Sequence, residues 1–120
     1  MISLRAACTL ATKCMLAVLC MGSEAIGAAY AGTGWGTLDC TQGIVQLDQH
    51  PDRALEWAKG YMSGINNARM VVSGEFNDLG GLENAWLRDE LVRLCHDQPD
   101  FPMEIVVQQI YRSLPQRQLQ

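Results

Sequence analysis

The sequence predicts an all-α fold: a small domain of four helices with one disulfide joining helix 1 to the end of helix 3. Three observations carry this. Apolar residues recur at helical spacing in four segments, each bounded by proline, glycine or a capping residue. No segment alternates with the period of two that a half-buried strand requires. Two cysteines, Cys40 and Cys95, fall on the inward stripes of two of the helices.

Residues 1–31 stand apart from that domain. Arg5 and Lys13 precede the short apolar run Cys14-Met15-Leu16-Ala17-Val18-Leu19-Cys20-Met21-Gly22, and small residues follow up to Ala29-Tyr30-Ala31. This is the order of a secretory signal peptide, with cleavage expected after Ala31 and a mature start at Gly32. The run is shorter than the roughly 20 residues a spanning helix needs, and Glu24 interrupts its extension, so stable membrane insertion is not expected. Leu19 before Cys20 does not suit a lipoprotein. The expected destination is the periplasm or the exterior, where thiols oxidise. Three of the five cysteines leave with the signal, and Cys40 and Cys95 remain to pair. Their loop of about 55 residues corresponds to roughly 4 kcal/mol in the chain-entropy treatment.

The domain is expected over residues 32–120, with its core at about 37–114. Thr37 is the expected N-cap of helix 1, at about 38–48, where Cys40, Ile44 and Leu47 fall within an arc of about 60°. Pro51 opens helix 2, which is expected to run to about Val71. Its small and apolar residues, from Gly60 and Gly64 through Trp57, Ala68, Tyr61, Ala54, Ile65, Ala58, Met62 and Leu55, cover an arc of about 220°. Only Arg53 and Arg69 interrupt it. An arc this wide predicts a central helix covered by several neighbours. Helix 3, at about 82–96, places Leu87, Leu91, Leu94 and Cys95 on one side before Asp97-Gln98-Pro99 ends it. Helix 4, at about 102–114, carries Met103, Val106, Val107, Ile110, Tyr111 and Leu114 on one stripe before Pro115. Gln116–Gln120 reads as a frayed tail.

The most specific local motif is Gly60-xxx-Gly64-xxx-Ala68. Each glycine inside a helix costs about 1 kcal/mol relative to alanine, so close helix packing against Gly60, Gly64 and Ala68 is the expected compensation. A kink or ligand groove over the bare backbone is the alternative.

Catalytic chemistry finds no support in the residue inventory. Ser63, Ser73 and Ser113 are the serines of residues 32–120, and none sits in a Gly-x-Ser-x-Gly elbow. Carboxylate pairs such as Asp89 and Glu90 lie on polar helix sides. The histidines are His50 and His96 alone, with no second ligand at helical spacing, so no metal and no cofactor are expected. Nor is there a Cys-x-x-Cys redox pair. Loss of residues 1–31 leaves seven Lys and Arg against twelve Asp and Glu, a net charge of about −5, which disfavours nucleic acid and anionic lipid as partners. Other proteins are the expected partners, with self-association into a homodimer compatible. The candidate protein-binding residues are Trp57, Tyr61 and Trp86, with Trp86 at the edge of the helix 3 stripe.

The layout resembles a family. A leader, a short helix with one cysteine, the segment Trp57-Ala58-Lys59-Gly60-Tyr61-Met62-Ser63-Gly64, then Cys95-x-x-x-Pro99 and a last amphipathic helix are similar to small periplasmic proteins of the HdeA/HdeB type. Gly60-Tyr61-x-x-Gly64 is also similar to the Rap/Tai immunity proteins of type VI secretion, although the cysteine those often carry before this segment is replaced by Glu56-Trp57-Ala58-Lys59. The first resemblance implies a periplasmic acid or stress chaperone that is folded at neutral pH and partly unfolds in acid to hold clients. Protonating its carboxylates would take residues 32–120 to about +9 or +10, and self-repulsion would favour opening while the disulfide tethers the chain. Its client-holding faces would surround Trp57, Tyr61, Ile65, Leu91 and Ile110. The second resemblance implies a rigid protein that binds and neutralises a secreted bacterial toxin. Neither implies an enzyme.

Overall fold

The computed structural model describes residues 34–120. The signal-peptide expectation falls on residues 1–31, outside the described residues.

A short 3-10 turn, Gly34–Thr37, leads into helix α1, Cys40–Gln49. Asp39, not Thr37, caps it: its carboxylate accepts the Gln42 amide at 2.8 Å, satisfying one of the orphan donors of the first turn. Thr37 instead closes the 3-10 turn, its hydroxyl donating to the Gly34 carbonyl. His50 separates α1 from α2, Pro51–Ser73, whose first residue is the proline. Gly74 ends α2 in the left-handed region (φ 71°), its amide bonded to the Met70 carbonyl. Helix α3 spans Asn84–Asp97 and α4 spans Met103–Ser113. The four expected helices are therefore present, with ends shifted by a few residues.

The all-α expectation needs one correction. Glu75–Asn77 forms strand β1 and Gln116–Gln118 forms strand β2, antiparallel, with Glu75 opposite Gln118 and Asn77 opposite Gln116. The segment expected to fray is thus paired. Three residues per strand are too few for periodicity to be read, and β2 is exposed and wholly polar.

The core lies between all four helices. Leu47 of α1, Met62 of α2, Leu87 and Leu91 of α3, and Met103, Val106, Val107 and Ile110 of α4 are essentially inaccessible. Cys40 and Cys95 form a buried disulfide with Cα atoms 5.1 Å apart, joining the first residue of α1 to the last turn of α3. The start of α1 is also stitched to the start of α4: the Cys40 amide donates to the Phe101 carbonyl at 2.9 Å, and the Met103 amide to the Leu38 carbonyl at 2.8 Å. Gly43 is buried here, where a Cβ would overlap the Met103 side chain.

Helix α2 is covered over less than its predicted arc. Ala54, Ala58, Met62 and Asn66 form the buried row, with Leu55 beside it. Trp57, Tyr61 and Ile65 are half-buried. Gly60, Gly64 and Ala68 face outward, and among the described residues nothing beyond the helix's own adjoining backbone lies within 4 Å of a Cβ built on either glycine. The expected close helix packing at these residues is therefore not made among the described residues. The physical reason is that α1, α4 and the strands all approach α2 from the Ala54–Asn66 side.

Candidate functional site

Two aromatic regions and one polar junction hold the side chains that stand out. The first region is a stack on α2. Trp57 lies parallel to Tyr61, with ring centroids 5.0 Å apart, and meets Trp35 edge-on at 5.5 Å. The Trp35 indole donates to the Gly43 carbonyl at 3.1 Å, and Gln108 donates to the Tyr61 hydroxyl at 2.7 Å. Trp57 covers Gly36 so closely that a Cβ there would run into the indole. The expected binding residues Trp57 and Tyr61 are thus tied into the packing that seats the 3-10 turn, with one side left open.

The second region is built around Trp86. It is 43 % exposed, outside the core cluster, in the first turn of α3. Together with Leu82, Leu114 and Pro115 it forms an apolar groove of about 410 Å³, with Gly81 below and Asp78 and Glu83 at the rim. Leu82 and Leu114 pack back onto the core, so the floor is fixed. The two sides are joined by the Asp78 amide donating to the Pro115 carbonyl at 2.8 Å. Paired β1 and β2 therefore create this groove, because β2 brings Pro115 back across the 78–83 connection. The structure does not bring Trp86 together with Trp57 and Tyr61, whose partners are Trp35 and Gln108.

The polar junction was not expected from periodicity. Asn66 and Asn77 are both buried, and the Asn66 side chain pairs with the Asn77 backbone through two bonds of 2.8 Å. Asn77 Nδ2 donates to the Tyr111 carbonyl at 2.6 Å, and the Tyr111 hydroxyl donates to Asn66 Oδ1 at 2.6 Å. Arg69 donates to Asn77 Oδ1, to the Tyr111 hydroxyl and to Glu75. The Tyr111 hydroxyl, and then Glu75, hold the Arg69 guanidinium above its usual pKa, against the opposing effect of burial. One signal was available: Arg69 is a cation inside the apolar arc of helix 2, and a cation there needs partners. The junction borders a groove of about 440 Å³ lined by Ile65, Gln108 and Arg112. Its buried polar atoms already have partners, which marks a structural seam rather than an open ligand site.

The remaining candidates have local roles. Ser63 and Ser73 donate back to the carbonyls of Lys59 and Arg69, and Ser113 to that of Ile110. His50 and His96 are exposed. Among the described residues no three metal-ligating side chains converge, and no helix is long and apolar enough to cross a membrane. Glu90 is bonded to Arg93, which holds its carboxyl below the usual range.

In comparisons with known proteins, no family model, no curated protein and no solved structure matches this chain.

Proposed function

We propose that this chain is an exported, non-enzymatic protein-binding protein, and that it acts as an acid- or stress-activated holding chaperone of the HdeA type. The observation that carries this reading is where its carboxylates sit. Asp48 of α1 bonds Arg88 of α3 at 2.8 Å, Glu75 of β1 bonds Arg69 of α2 at 3.1 Å, and Asp78 beyond β1 bonds Arg117 of β2 at 3.4 Å. Each pair joins two different elements, so the seams of the assembly rest on exposed or half-exposed ion pairs rather than on bonds within a helix. Exposed pairs are individually weak, so such seams yield readily to the self-repulsion of the positive charge the whole chain gains in acid. The Cys40–Cys95 bond keeps α1 and α3 together while the ribbon and α2 separate. That would open the apolar faces of Trp57, Tyr61, Ile65, Leu91 and Ile110 to clients.

The test is a titration of the oxidised protein from pH 7 to pH 2, following far-ultraviolet circular dichroism and tryptophan fluorescence with an aggregation-prone client present. Loss of tertiary signal together with suppressed client aggregation is the expected result. A chain that stays natively folded at pH 2 and protects nothing would sink the reading.

The Trp86 groove favours a second reading, an immunity protein that neutralises a secreted toxin. That groove is assembled in the folded state and needs no acid. Deleting the gene should then leave cells open to killing by sister cells; equal resistance would end this alternative.

A further inference from the structure

The Trp86 groove is specific enough in shape and charge to name what it takes. We propose that it binds, in the folded protein at neutral pH, a partner segment presenting one apolar side chain flanked by lysine or arginine. The inference rests on the reading of this chain as a protein-binding protein, and on neither the chaperone nor the immunity version of it.

Size gives the first constraint. A groove of about 410 Å³ lined by Leu82, Trp86, Leu114 and Pro115 has room for one large apolar side chain of an exposed segment. It is open and shallow enough that the flanking residues of such a segment would cross its rim. Tryptophan walls of this kind supply large contact area at small conformational cost, because the indole has only two torsions to fix.

Charge gives the second. Glu83 stands at the rim with no ion pair among the described residues, and Asp78 stands at the other side, shared with Arg117. Asp89 and Glu90 follow Trp86 by three and four positions and so lie on its side of α3. Glu90 is bonded to Arg93, and Asp89 has no ion pair among the described residues. Of the cations on the flanking elements, Arg88, Arg93 and Arg117 are each engaged by a carboxylate, and Arg112 of α4 bonds the Gln108 side-chain oxygen on the side of the neighbouring groove. The groove therefore presents an apolar floor in a net negative rim, on a chain of net charge −4. A basic segment is steered toward it and an acidic one is repelled. The same argument disfavours a second copy of this chain, which would bring the same acidic rim against itself.

Fluorescence anisotropy tests this with the oxidised full chain at pH 7. The probes are two labelled twelve-residue peptides with a central leucine, one flanked by lysines and one by glutamates. At low salt the lysine-flanked peptide should bind at least ten-fold more tightly. Trp86→Ala should weaken that binding ten-fold or more, and Glu83→Lys should remove or invert the preference. Val71→Ser, on an exposed residue of α2, should change nothing. Equal binding of both peptides, no binding of either, or indifference to both Trp86→Ala and Glu83→Lys would overturn the inference. Because Glu83 is exposed, its variant reports even where Trp86→Ala fails to fold. Client protection at pH 2 is read separately, so loss of the chaperone reading and loss of this one are distinguishable.

Discussion

Single residues decide the stability of this molecule in two opposite ways. Asn77 is buried with its side chain bonded to the Tyr111 carbonyl and to Arg69. Asn77→Ala would take one of two partners from the Tyr111 carbonyl, which keeps the Leu114 amide, and one from Arg69 Nη1, which keeps the Tyr111 hydroxyl, at a cost of about 1–2 kcal/mol. A urea unfolding curve should show the midpoint fall while the slope stays constant. Gly60 and Gly64 have open space where a side chain would go. Gly60→Ala and Gly64→Ala should therefore each raise stability by up to about 1 kcal/mol, by helix propensity alone. Destabilisation by either would show that something covers this face in solution. Gly36 is the opposite case, since a Cβ there meets the Trp57 indole. Gly36→Ala should displace the Trp35–Trp57 pair and shift the tryptophan emission.

At the scale of elements, the disulfide and the strand pair do separate jobs. Cys40–Cys95 joins α1 to α3 across a sequence separation of 55 residues. Its removal as the Cys40→Ser, Cys95→Ser double variant should cost up to roughly 4 kcal/mol, read as a fall in the thermal midpoint. The β1–β2 pair is held instead by hydrogen bonds: the Leu119 amide to the Gly74 carbonyl, the Asp78 amide to the Pro115 carbonyl, and Arg117 to Asp78. Removing residues 116–120 should leave the helical circular dichroism nearly unchanged, because β2 is wholly exposed. It should also widen the Trp86 groove and weaken peptide binding there. A collapse of helicity on that truncation would show that β2 supports the core despite its exposure.

For the whole molecule, the proposed chaperone role turns on pH. Glu90 has a lowered pKa in the fold because Arg93 bonds it. A lowered folded value means the pair stabilises the fold at pH values above the unfolded carboxylate's, and that contribution disappears as pH falls through the folded value. Glu90→Gln should flatten that part of the acid limb slightly, since the pair is partly exposed and lies within one helix. Asp48→Asn and Glu75→Gln each cut a bond between elements and should lower the thermal midpoint at pH 7 slightly, as partly exposed pairs do. Tryptophan fluorescence across pH 7 to 2 checks Glu90→Gln, and thermal unfolding at pH 7 checks the other two. Unchanged midpoints for both would show that the seams contribute nothing to stability.

Much of this was legible in the residues themselves. Periodicity located four helices and most of the core, and the positions of Cys40 and Cys95 on inward stripes implied their pairing. These features are local, or repeat along a helix often enough to read. The extent of burial on α2 was not legible. A wheel shows which residues would tolerate burial, but the packing of α1, α4 and the strands decided that Ala54, Ala58, Met62 and Asn66 turn inward and Gly60, Gly64 and Ala68 outward. The three-residue strands and the Asn66–Asn77–Tyr111 junction escaped for a related reason. Each depends on partners between 11 and 45 positions apart, whose bonds exist only once the helices have brought them together. The sequence by itself determined the helices, through local spacing, and narrowed the cross-link to Cys40 and Cys95, the cysteines that remain once residues 1–31 are set aside. The tertiary structure alone decided the ribbon, the polar junction and the Trp86 groove, because each is made by residues that meet only across the assembled fold.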